Sequence, residues 1–98
     1  MLTDSARKQR LMIEMFLAGS NGAIVFQRQF FDEWGRRGRR MLTDAEYQIL
    51  IDLFWAAEDF VADPELRDSP EDLDEDQLRA EATRALQALR ALDAEQKD

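Results

Sequence analysis

The stretch TDAEYQILIDLFWAAEDFVADP, residues 43–64, decides the fold. Thr43 followed by Glu46 is the S/T-x-x-E pattern of a capping box, in which each residue satisfies a backbone N–H of the other at a helix start. Tyr47, Leu50, Ile51, Phe54, Ala57 and Val61 then recur at helical spacing, and Asp63-Pro64 stops the series. The stretch therefore predicts a long amphipathic helix with defined ends. At about 100° per residue, Glu58 falls about 20° from Tyr47, on the stripe with Ile51 and Phe54. A carboxylate there either pairs with an arginine from another helix or sits at the end of the bundle, open to a partner. Trp55, about 80° from the stripe, is either core or an exposed aromatic anchor.

Three further segments repeat the pattern. Residues 3–18 carry Leu11, Met12, Met15 and Phe16 on one face, with Gly19 as the C-terminal stop. Residues 23–34 place Phe26, Phe30, Phe31 and Trp34 together, and Gly35 ends the segment. From Asp74, whose carboxylate can cap while Gln77 reaches back, Leu78, Ala82, Ala85, Leu86, Leu89 and Leu92 form a stripe that dissolves into a polar tail from Ala94. Four amphipathic helices and no segment able to carry a sheet predict an all-α fold, an antiparallel four-helix bundle. Ninety-eight residues are expected to form one domain, 1–98.

Composition narrows the chemistry. There is no Cys and no His, which removes disulfides, thiol catalysis, the commonest general base and the commonest transition-metal ligand. No Ser-His-Asp set and no phosphate-cradling Gly loop is present, so the chain is read as a non-enzyme with no cofactor. No apolar run approaches the roughly 18 residues of a membrane span, and Met1 leads into polar sequence, so the expected compartment is the cytoplasm.

Charge is the distinctive property. Residues 1–42 are net +4 and residues 43–98 net −12. Between Glu58 and Asp76 stand ten carboxylates and a single cation, Arg67. Asp74, Glu75 and Asp76 suit a helix N-terminus, whose dipole favours anions. Glu58, Asp59 and Asp63 lie at the opposite, C-terminal end of the preceding helix, where the dipole disfavours them. Asp72, Asp74 and Asp76 alternate like calcium ligands, but the sixth loop position is Gln77 rather than Gly and the twelfth is Thr83 rather than Glu, which argues against an EF-hand. The run GRRGRR, residues 35–40, could hold phosphates; the alternatives, a loop that offsets the acidic half or one that simply stays solvated, are favoured because an acidic chain is repelled from nucleic acid.

LFWAAEDFVADPELR (53–67) and DLDEDQLRAEATRAL (72–86) resemble the colicin D immunity family through Phe54–Glu58, Phe60, Asp63 with Arg67, and Leu78-Arg79. That resemblance implies a small acidic four-helix protein that caps the positively charged cleft of a tRNA-cleaving toxin domain, with acidic side chains where tRNA phosphates would lie. It implies toxin-facing roles for Glu58 and Asp63. Asp59, Glu65, Asp68, Glu71 and Asp72 join the proposed surface by charge alone, and Trp55 as an aromatic neighbour. The expected assembly is a monomer in a 1:1 complex with a basic toxin domain, touching neither nucleic acid nor membrane. The alternative is a helical adaptor or anti-regulator that binds another basic protein through the same carboxylates.

Overall fold

Each predicted helix forms, and the starts of the first, third and fourth and the end of the first are fixed by hydrogen bonds the sequence encodes. The computed structural model describes residues 1–68 and 72–95, with only the backbone for Arg37, Gly38 and Arg39. The helices are α1 (Asp4–Leu17), α2 (Ala23–Arg37), α3 (Asp44–Asp59) and α4 (Glu75–Glu95), with 3-10 turns at Gly38–Met41 and Pro64–Leu66. Among the described residues these are the only helices, and the sole extended pairing is a parallel bridge between Phe60 and Leu73. The bundle is elongated, 49 × 25 × 22 Å.

Neighbouring helices run antiparallel around the bundle. Glu14 of α1 meets Arg90 of α4, and Arg10 meets Asp93. Gln27 of α2 bonds Ala57 of α3, while Trp34 packs against Tyr47 at the other end. The short Gly38–Met41 connection is thus at one end of the bundle, and the acidic 59–74 connection is at the other.

Both capping patterns read from the sequence are present. Glu46 N–H donates to Thr43 Oγ1 at 3.1 Å, and Thr43 N–H donates to Glu46 Oε1 at 3.0 Å. Gln77 N–H donates to Asp74 Oδ1 and Asp74 N–H to Gln77 Oε1, both at 2.8 Å. Gly19, at φ +83°, closes α1 as a Schellman turn: Gly19 N–H reaches Phe16 O and Ser20 N–H reaches Met15 O.

Glu46 does more than cap its own helix. It is fully buried, and its carboxylate also accepts from Thr3 N–H at 2.9 Å and Thr3 Oγ1 at 2.7 Å. Thr3 Oγ1 in turn accepts from Ala6 N–H as the N-cap of α1. One carboxylate therefore ties the starts of α1 and α3 together.

The core faces differ from the sequence reading in two helices. In α1 the buried residues are Ser5, Ala6, Gln9, Ile13 and Phe16, with Leu2 ahead of the helix, while Leu11 and Met15 point outward. A small residue and a polar one hold core positions there, so the apolar cluster LMIEMF misplaces the face. In α3 the buried residues are Glu46, Leu50, Leu53, Ala56 and Ala57; Tyr47, Ile51 and Phe54 lie at the edge of that face, half-buried. The run ILIDLFW is apolar nearly all round, which blurs the amphipathic contrast that locates a face.

Large aromatics fill the space between α2 and α3. Phe16 stacks on Phe26 at 4.6 Å, Phe30 meets both Phe26 and Trp34, and Trp34 stacks on Phe54 at 4.8 Å. Gly35 does not end α2, which continues two residues further to Arg37. With Trp34 held by this stack, the helix carries on through the glycine.

Replacing Glu46 with Ala removes acceptors from both helix starts and should lower the unfolding free energy by about 2–4 kcal/mol. Urea denaturation measures this, and a loss below about 1 kcal/mol would show that the link is dispensable. A Cβ added at Gly35 meets nothing within 4 Å, so Gly35→Ala should stabilise the protein by about 0.5–1 kcal/mol, readable as a higher Tm.

Candidate protein-binding surface

α3 ends where its dipole is least favourable to anions, yet its last turn holds Glu58 and Asp59 and no basic residue. The true core centre of α3 lies between Leu53 and Ala57, which puts Glu58 about 120° away. Glu58 is accordingly exposed, and no ion pair or hydrogen bond engages its side chain among the described residues. The internal pair with an arginine of another helix is therefore not formed among them.

Glu58 belongs to an outward arc of α3 with Gln48, Asp52, Trp55 and Asp59, all exposed. Trp55 is 57% exposed and meets the neighbouring Phe54 ring in a T-shaped contact at 5.2 Å. Asp52 is a member of this arc that the sequence reading misses. It lies one turn before Trp55, and a 100° projection centred on Leu53 rather than Tyr47 finds it.

Beyond α3 the chain turns sharply. Phe60 caps the helix in an extended conformation, and Val61 N–H donates to Leu73 O at 3.0 Å while Leu73 N–H donates to Asp59 O at 2.8 Å. Asp63 is exposed but also holds the backbone, since its Oδ1 accepts from Glu65 N–H at 3.0 Å and caps the Pro64–Leu66 turn. Arg67, the one cation of the segment, donates from Nε to Val61 O at 2.8 Å, so it braces the backbone. Asp72 accepts from Asp68 N–H at 3.1 Å. Glu65 and Asp68 are exposed and their side chains make no ion pair among the described residues. Glu71 lies outside the described residues.

Asp74, Glu75 and Asp76 begin α4 as expected. Glu75 pairs with Arg79 at 3.2 Å. Arg79 also donates to Phe16 O at 3.1 Å and covers the Phe16 ring at 4.5 Å, so it caps the end of α1 from α4.

Elsewhere several surface carboxylates are paired, although Asp52, Asp76 and Glu95 make no ion pair among the described residues. Asp4, Glu14, Asp32, Glu81 and Asp93 each pair with a cation. Arg36 of the GRRGRR run pairs with Asp32 one turn earlier, at 3.2 Å. That run stands at the opposite end of the bundle from the acidic connection. Glu58, Asp59, Asp63, Glu65 and Asp68 are thus gathered at one end, without an ion pair among the described residues, beside an exposed tryptophan. No helix among the described residues is long and apolar enough to cross a membrane.

Such an end, acidic and aromatic, suits recognition of a basic protein surface. No curated protein matches the sequence. A family model described as bacterial self-protective colicin-like immunity matches residues 6–89, a span that takes in most of α1, all of α2 and α3, and most of α4. The chain belongs to the colicin-like immunity family, the bacteriocin immunity proteins that bind a cognate toxin.

Proposed function

We propose that this immunity protein is of the colicin D type and neutralises a tRNA-cleaving toxin domain by covering its cationic substrate cleft with the carboxylates at the end of α3. The observation that carries the reading is that Glu58, Asp59, Glu65 and Asp68 are exposed and lack ion pairs among the described residues, whereas Asp4, Glu14, Asp32, Glu81 and Asp93 are paired. A nuclease that binds tRNA presents Lys and Arg to phosphates. Carboxylates held at the end of a rigid helix occupy those cations and exclude the substrate. Trp55 supplies the apolar anchor that charge alone does not.

Residues 1–98 act as one domain, a monomer that forms a 1:1 complex with the toxin domain in the cytoplasm, where tRNA is found. The chain contacts no nucleic acid itself and performs no chemistry. Attraction between the acidic end and the toxin's basic cleft raises the association rate, an effect that falls with salt. Family membership favours a toxin over an unrelated basic protein as partner.

The test is tRNA cleavage by the cognate toxin domain, titrated with the wild-type and variant proteins. Glu58→Lys with Asp59→Lys should weaken inhibition about tenfold or more at low salt, with the gap narrowing as salt rises. Unchanged inhibition would sink the proposed surface. The same residues should contribute little to the stability of the fold. Glu58→Gln and Glu65→Gln should change the unfolding free energy by less than about 0.5 kcal/mol, whereas Asp63→Ala, which removes a cap, should cost about 1 kcal/mol. Urea titrations of the three variants separate these outcomes.

A further inference from the structure

The first turn of α2 presents two adjacent branched apolar side chains to solvent, Ile24 at 53% and Val25 at 44% exposure. Single exposed apolar residues need no explanation. These two, however, line a surface depression of about 230 Å³ whose other walls include Phe60, Ala62, Arg67 and Glu75. Phe60 and Ala62 belong to the turn that follows Asp59 and precedes Asp63, so the depression opens directly beside the unpaired carboxylates. The juxtaposition is fixed by the fold, because Gln27 Nε2 donates to Ala57 O at 2.7 Å and pins the start of α2 to the end of α3. Leu66, 68% exposed, adds a further apolar side chain within the same acidic connection.

An apolar centre rimmed by charge is the anatomy of a protein interface. The charged walls of the depression, Arg67 and Glu75, offset each other, so the sign comes from the carboxylates that flank its walls in the chain, Asp59 beside Phe60 and Asp63 beside Ala62: a segment carrying lysine or arginine is attracted to them, and an apolar side chain on that segment can enter the depression. We infer that the Ile24–Val25 depression is a second, apolar half of the toxin-binding surface, receiving an aliphatic or aromatic side chain that the toxin domain presents between basic residues. This rests on the proposed toxin-binding role of the α3 end and adds a component that charge mimicry does not contain. Carboxylates govern approach and its salt dependence. The apolar half slows dissociation at any salt concentration, since hydrophobic contact is little affected by ionic screening.

The experiment measures the Kd of the full chain for the purified cognate toxin domain, at about 0.05 M and about 0.5 M salt, where screening differs strongly. Wild type, Ile24→Ala/Val25→Ala, Ile24→Gln/Val25→Gln and Glu58→Gln/Asp59→Asn are compared, and thermal melts establish that each variant is folded. The expected result is about a tenfold or greater loss for both apolar-site variants at both salt concentrations, while the carboxylate variant loses affinity chiefly at low salt. Tight wild-type binding with both apolar-site variants within about twofold of it overturns the inference and leaves the toxin-binding role standing. A loss confined to low salt also overturns it, because the site would then act only through charge. Failure of the wild-type chain to bind the toxin domain overturns the toxin-binding role itself.

Discussion

The architecture depends on one buried carboxylate. Glu46 sits at zero exposure, and an anion in that position is tolerable only because its oxygens accept from Thr43 N–H, Thr3 N–H and Thr3 Oγ1. Those donors are groups that two helix starts would otherwise leave unsatisfied. Satisfying them together fixes α1 and α3 at a common level, and α2 and α4 then pack between and beside them through aromatic and leucine side chains. The same geometry sends the C-terminus of α3 and the N-terminus of α4 to the far end, which is why the acidic residues collect there.

The local, directional signals are legible in the sequence. Thr43 with Glu46, Asp74 with Gln77, and Gly19 after α1 each specify a hydrogen-bond pattern that depends on a few neighbouring residues, and each is present in the fold. Faces are harder to read. Gln9 and Ala6 occupy core positions in α1 that hydropathy would assign to Leu11 and Met15, because the packing partner, not the side chain's own preference, chooses the face. Gly35 reads as a stop on its backbone freedom alone, yet Trp34 packs into the aromatic stack and the helix continues past it. The tie between Thr3 and Glu46 spans the sequence distance from α1 to α3, and no local pattern announces it.

The candidate surface divides along the same line. That Glu58 and Asp59 oppose their own helix dipole follows from position, and Trp55 stands out as an aromatic off the core stripe. The division of labour among the acidic residues does not follow from sequence. Asp63, Asp72 and Arg67 are committed to holding the turn, whereas Glu58, Asp59, Glu65 and Asp68 have no ion pair among the described residues. Charge density marks the region, but only backbone geometry separates the carboxylates that hold the loop from those that face outward. The arginine run illustrates the converse: it is adjacent to α3 in sequence and at the far end from the acidic connection in space.

The parallel bridge between Phe60 and Leu73 has a consequence for recognition. Val61 N–H to Leu73 O and Leu73 N–H to Asp59 O tie together the two ends of the acidic connection, and Arg67 Nε braces it from within. A charged loop that was free at both ends would have to be ordered when a partner arrives, and the entropy of that ordering would be subtracted from the affinity. Here the closure is made once, during folding, by hydrogen bonds that exist before any partner is met. A partner therefore meets a connection whose two ends are already joined. The clasp shifts an entropic cost from association to folding, and the bundle carries that cost in its stability.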